Sequence, residues 1–235
     1  NQVEDGLVSL IDLAPTFLEI AGIKDRPEMT GKSLSKLLLS DSEKTTSVHR
    51  EFVLTGRERH THARPDNLGY PARAIRTADY LYVRNFKPNL WPAGDPVEEY
   101  TRNLPGEEGF KDLWPGYHDI DDSPSKTLLM EEMDELSLYS ELAFAKRPGE
   151  QLYDLKKDPH CVNDVAQEQA YQEIKEVLSS TLDKELKKQG DPRVLGNGDI
   201  FDSYPRHSSM RRFPGFHERG KYNPEFLQED QTTIQ

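Results

Sequence analysis

Phe52–Arg84 reads FVLTGRERHTHARPDNLGYPARAIRTADYLYVR, and its alternation and loop decide the fold of the chain around it. Phe52-Val53-Leu54 is apolar and suited to a strand. Gly56 to Gly69 forms a polar loop carrying Arg57, Glu58, Arg59, His60, His62, Arg64 and Asp66. Tyr70–Arg76 and Tyr80–Arg84 alternate and predict two strands around a turn at Thr77-Ala78-Asp79. Gly56 is expected to let the backbone leave the first strand into the loop. Arg offers a planar fork of donors, and His a donor tunable near neutral pH, so this loop can aim charge at an anion. Composition favours a plainer reading, in which the same residues are solvated loop side chains.

The bulk numbers narrow the function classes. A chain of 235 residues is long enough for one large or two small domains. Asp and Glu number 42 against 30 Lys and Arg, a formal charge of −12. That balance argues against general nucleic-acid binding, which depends on neutralising phosphates, while leaving room for a local cationic pocket. Cys161 is the single cysteine, so no disulfide can form within the chain. No apolar run approaches the length of a membrane span. The opening Asn-Gln-Val-Glu-Asp-Gly lacks the basic and apolar regions of a secretory signal and lacks Met, and the expectation is a chain that begins inside a longer protein.

On the N-terminal side, Leu7–Ile23 is LVSLIDLAPTFLEIAGI. Val8–Ile11 suits a buried strand end or extended entry. Pro15 fits the first turn of a helix with Phe17, Leu18, Ile20 and Ala21 as its apolar face, and Gly22 fits its left-handed cap. So much apolar surface on one short helix calls for a partner sheet, which does not follow in the sequence. Thr30-Gly31-Lys32-Ser33 invites a phosphate-loop reading, but the position that should hold the first glycine of that pattern is Arg26. Leu34, Leu37 and Leu38 instead predict a short helix capped by Ser33.

On the C-terminal side, Asn85–Pro124 is rich in proline and glycine and contains Trp91 and Trp114. It reads as a long irregular excursion of the kind that often forms a lid or wall. Its aromatics can stack on sugar faces, although anchoring the loop to the core is the commoner use. Asp119, Asp121 and Asp122 lack the glycine and distal glutamate of a calcium loop and are expected in a solvated turn. One helix is predicted over Ser125–Ala145, with its acidic run exposed, and a short strand over Gln151–Leu155. A long helix from about Gln167 to Gln189 has Ile174, Val177, Leu178, Leu182 and Leu186 as its buried stripe. Arg193–Gln235 reads as a tail rich in Gly, Pro and charge.

Several segments together resemble the C-terminal part of a sulfatase, in the alkaline-phosphatase-like superfamily. LVSLIDLAPTFLEIAGI is similar to the helix that closes the catalytic domain in that family, and TGKSLSKLL to the segment after it. QLYDLKKDPHCVNDVA, Gln151–Ala166, resembles the strand and turn before the last helix. Gly56, His60 and Tyr70-Pro71-Ala72-Arg73 are most similar to the heparan N-sulfatase (sulfamidase) branch. The resemblance covers roughly Val3 to Gly190. It implies an α/β fold, here an α+β fragment: a short antiparallel sheet packed on a long C-terminal helix, preceded by the last helix of the catalytic domain. The implied division is 1–47 for the end of the catalytic domain and linker, 48–190 for the C-terminal subdomain, and 191–235 for an extended tail.

The resemblance also implies a chemistry. The parent enzyme would use a formylglycine nucleophile, made from Cys or Ser in C/S-x-P-x-R, beside a calcium ion that offsets charge on the sulfate oxygens. This sequence departs from that pattern. Cys161 is followed by Val162-Asn163-Asp164, and no serine has Pro two residues on and Arg four residues on. The expectation is therefore a chain with no catalytic residue and no metal ligand of its own. Both cofactors and the catalytic domain would lie in the rest of the parent, in a periplasmic, secreted or lysosome-like setting. The implied partner is a sulfated sugar such as an N- or O-sulfated glucosamine, contacted by His60 and Arg73, with Arg57 and His62 as neighbours. Arg73 reads equally as a strand residue paired to a structural carboxylate. The alternatives are a non-catalytic sugar-binding module and a phosphodiesterase or phosphonate hydrolase of the same superfamily.

Overall fold

In a computed structural model of the chain, residues 6–25, 27–39, 50–58, 60, 68–96, 116–121 and 123–204 are described. The alternating stretch folds as expected, into Val53–Arg57 (β1), Ala72–Arg76 (β2) and Tyr80–Asn85 (β3). With Glu150–Asp154 (β4) they make a four-stranded antiparallel sheet in the order β1-β2-β3-β4. The turn between β2 and β3 is closed by Thr77, whose Oγ1 accepts from the N–H of Tyr80 at 3.0 Å. β2 begins at Ala72 rather than Tyr70 because Pro71 has no N–H to give the ladder. β1 runs on through Gly56 to Arg57, so the glycine sits inside the strand and not at an exit from it.

The period-two pattern puts Ile75, Tyr82 and Leu152 on one fully buried face. Against it lies the long helix, Gln172–Lys188 (α5), through Leu178, Leu182 and Leu186, with Ile174 packed at the margin. Val177 was expected in that stripe but is 54% exposed. Residues 174, 178, 182 and 186 recur every four positions, and this row carries the apolar contact with the sheet, while Ser179 and Asp183 beside it bind Arg84 of β3. The helix starts later than the sequence suggested because Gln169–Tyr171 is a 3-10 turn, and it stops at Gly190, whose φ is +73°.

The single helix expected over Ser125–Ala145 is two, Pro124–Glu131 (α3) and Ser137–Phe144 (α4). The break falls in the acidic run. Glu131, Glu132, Asp134 and Glu135 would crowd like charges at the negative end of the α3 dipole. Phe144 of α4 joins Ala93 and Tyr117 in a second buried cluster, bordered by Trp91, Leu129 and Met133.

At the N-terminus, a 3-10 turn (Leu10–Asp12) leads into Leu13–Ile20 (α1), and Ser35–Leu38 (α2) follows. The expected burial is inverted here. Leu10 is 84% exposed and Phe17 64%, while Asp12, Pro15 and Thr16 are buried. The Asp12 carboxylate accepts from the N–H groups of Ser9 (3.0 Å) and Lys32 (2.7 Å) and from the Arg50 guanidinium. A Cβ on Gly31 would stand 2.0 Å from the carbonyl oxygen of Ile11. Gly31-Lys32 thus serves close backbone packing and the ligation of Asp12, which accounts for this Gly-Lys-Ser without a nucleotide.

Residues 191–204 do not trail away from the sheet. Asp191 caps Pro192–Leu195 (α6) by accepting from the N–H of Arg193 at 2.9 Å, and Ile200–Ser203 (α7) follows. Among the described residues, no helix is long and apolar enough to cross a membrane.

Candidate functional site

The end of β1 sends successive side chains in opposite directions. Glu58 turns inward, and Arg57 and His60 turn outward. Each side meets a different set of partners.

On the inner side, Glu58 pairs with Arg73 at 2.7 Å and with Arg193 at 2.7 Å. Arg73 also binds Asp191 through Nε at 2.6 Å and Nη2 at 3.2 Å. Its Nη1 donates to the carbonyls of Arg57 and Ala72 at 3.1 and 2.9 Å. Every N–H of the Arg73 fork is therefore used within the protein. Burial opposes its charge, but the hydrogen bonds it donates to Asp191 and Glu58 outweigh this and hold its pKa above the ordinary arginine value. Arg73 and Arg193 both lie over the Phe201 ring, at 5.7 and 5.5 Å. Gly56 is opposite Arg73 across the ladder, and a Cβ there would meet Arg73 Cδ at 3.1 Å. The missing side chain makes the room in which Arg73 lies. A second arm of the network runs through Asp199 and Asp202, which both pair with Lys87, at 2.8 and 3.0 Å. Asp202 also accepts from the N–H of Gly69 at 3.1 Å. Residues 191–204 are thus fastened to both ends of the loop between β1 and β2.

On the outer side, Arg57 and His60 converge on Asp119. Asp119 accepts from Arg57 Nη2 through one oxygen and meets His60 Nδ1 at 2.7 Å through the other. The side chains of Arg57 and His60 are 41% and 59% exposed, whereas that of Asp119 has no exposed surface. Asp119 was expected in a solvated turn. It does sit in a turn, but its carboxylate is buried against the Arg57 and His60 side chains. Arg57 also reaches the carbonyl of Pro92 at 3.4 Å. Beside it stand Trp91 and Tyr117, ring centroids 6.1 Å apart, and Tyr117 stacks on Phe144 at 4.4 Å. Lys146 lies over the Trp91 ring at 4.8 Å.

Two of the four candidate residues, Arg57 and His60, therefore come together. Arg73 is on the same strand pair but belongs to the inner network, and His62 lies outside the described residues, as does Trp114. Asp119 escaped the sequence reading because its partners are 59 and 62 positions away and its Asp-rich neighbourhood has a solvated composition. An imidazole oriented by a carboxylate, with a guanidinium alongside, can donate to anionic oxygens and can carry a proton. Among the described residues, no group of three or more His, Cys, Asp and Glu side chains is placed to hold a metal ion. Cys161 is half-buried, and burial pushes its thiol pKa upward, which disfavours the reactive thiolate.

No family model matches the chain. Comparison with characterised proteins is more informative. Over 186 residues, 79% of this chain, it is 28% identical to an ulvan-active sulfatase of Formosa agariphila. A second ulvan-active sulfatase of the same organism is 24% identical over 196 residues. The likeness is to sulfatases. The chain spans 30% and 28% of the lengths of these two relatives. Solved structures are similar at lower identity. One is a 2-O GAG sulfatase, 20% identical with a TM-score of 0.42, covering 77% of this chain and 25% of that one. Another is a protein in complex with its substrate D-glucosamine-2-N,6-O-disulfate, 18% identical with a TM-score of 0.42 and the same coverages.

Proposed function

We propose that this chain is the substrate-facing part of a larger sulfatase that acts on a sulfated sugar. The observation that carries the reading is the pairing of sulfatase likeness over most of the chain with an exposed Arg57–His60 pair gathered at the end of β1. In an acidic chain, a local concentration of Arg and His suits an anionic ligand. Loops at strand ends are also where a rigid scaffold carries its specificity residues.

In this reading, Arg57 and His60 contact the sugar and its charged substituents. Arg73 holds the strand and loop that present them. We assign the formylglycine nucleophile and the calcium site to the rest of the protein, because no Cys or Ser of this sequence stands in a C/S-x-P-x-R motif, and no step is assigned to them in this chain. The exposed apolar face of the 3-10 turn and α1 packs on that remaining part. The likeness of His60 and Tyr70-Pro71-Ala72-Arg73 to the sulfamidase branch supports an N-sulfated sugar as the finer assignment.

The test is kinetic, in the longer protein. His60→Ala should lower kcat/KM for a sulfated oligosaccharide by on the order of tenfold to a hundredfold, the range of one lost charged hydrogen bond. A small aryl sulfate makes few contacts beyond its sulfate and should lose much less. Equal losses on the two substrates would move His60 into the chemical step. No loss on either would end the sugar-binding assignment.

A further inference from the structure

The feature of the outer cluster that no sugar contact explains is Asp119. Its carboxylate has no exposed surface and so cannot meet a ligand itself. Yet both of its oxygens are spent on exposed side chains, Arg57 on one and His60 on the other. A buried carboxylate needs partners to offset its lost hydration, but partners drawn from the exposed surface also acquire a fixed geometry. A carboxylate bound to Nδ1 selects one imidazole tautomer and ring orientation and directs Nε2 away from itself. The planar Arg57 fork is fixed at the same time.

The anchor is itself rigid. The N–H of Asp119 donates to the Ala93 carbonyl at 3.0 Å, and that of Tyr117 donates to Asp95 at 2.9 Å. Gly116 bridges to Pro96, and Tyr117 is stacked on Phe144. Asp119 therefore rests on a packed turn, while the side chains it holds are at the surface.

We infer that Asp119 is the positioning residue of this site, setting Arg57 and His60 in one arrangement for the anionic groups of a sugar. The inference rests on the sugar-binding reading above, so its test has one arm that involves no sugar. In the 235-residue chain labelled with 15N-histidine, Asp119→Asn should move the His60 Nδ1 resonance and leave those of the other histidines in place. Asp119→Glu, which keeps the charge, should move it less, and it serves as the folded comparison if the Asn variant loses its thermal transition. In the longer enzyme, Asp119→Asn should raise KM for the sulfated sugar about tenfold more than for an aryl sulfate, the scale of one misdirected charged hydrogen bond. On a His60→Ala background the same change should add less than about twofold, because residues acting as a unit do not add. An unmoved His60 resonance, or losses that multiply in the double variant, would overturn the positioning role. A moved resonance together with normal sugar kinetics for His60→Ala would overturn the sugar-binding reading and leave the contact standing.

Discussion

Asp12 shows how a single residue can reverse what its neighbours suggest. The sequence around it is mostly apolar, yet it is the aspartate that is buried, with Ser9, Lys32 and Arg50 arranged about it. Burial pushes its carboxyl pKa upward. The bidentate Arg50 and the two backbone N–H groups outweigh this and hold the group well below the usual carboxylate range. The sign of the pH effect follows. A depressed folded-state pKa contributes stability that is complete above the ordinary value of 3.8 and is lost as pH falls through the folded value. Asp12→Ala should cost about 3 kcal/mol near neutral pH, since it leaves Arg50 without its partner. That difference from the parent chain should hold down to about pH 4 and shrink below it. Urea unfolding at a series of pH values measures it, and a difference independent of pH would contradict the assignment.

At the scale of elements, legibility depended on how far apart the partners are in sequence. β2, β3 and the buried row of α5 follow local periodicities, two for the strands and roughly four for the helix row, so they could be read from the sequence. β4 was legible as a strand, but its place beside β3 was not, because the pairing of Tyr80 with Asp154 joins residues far apart in the sequence, with α3 and α4 between them. The same holds for Arg73. Sequence left it between a ligand contact and a structural ion pair, and only the return of residues 191–204 brings Asp191 to it. Local sequence suggests Gly56 as an exit from β1, yet its role is steric, and a cross-strand arginine leaves no trace in local composition. The packing of α5 supports a direct prediction. Leu178 touches the sheet face formed by Ile75, Tyr82 and Leu152. Leu178→Ala should cost about 2–5 kcal/mol, the range for a buried leucine whose cavity does not collapse. Val177→Ala, one position away and exposed, should cost less than about 0.5 kcal/mol. Chemical denaturation of the two variants checks this, and comparable losses would mean the helix is rotated on the sheet.

Across the whole molecule, the exposed apolar side chains are unevenly distributed. Scattered exposed leucines are ordinary. Leu10, Ile11, Leu13, Phe17 and Ile20, however, fall in one turn and the helix that follows it, all exposed, on an element already secured by Asp12 and Thr16 on its other side. Five exposed apolar side chains gathered on one well-anchored element suit a surface that something else covers. The proposal that a longer sulfatase contains this chain supplies the cover, since the matched stretch spans only 30% and 28% of the two relatives' lengths. The two contexts then predict opposite outcomes for one substitution. In the 235-residue chain, Phe17→Glu replaces an exposed ring with an exposed charge and should change stability by less than about 0.5 kcal/mol. In the longer protein, the same change would remove a buried aromatic and bury a carboxylate without a partner, costing several kcal/mol. Thermal melting of both forms, each with and without the substitution, distinguishes the cases. A large loss in the short chain would mean that Phe17 already packs within it. No loss in the longer protein would mean that this face meets nothing there and that the proposed contact with the rest of the enzyme is wrong.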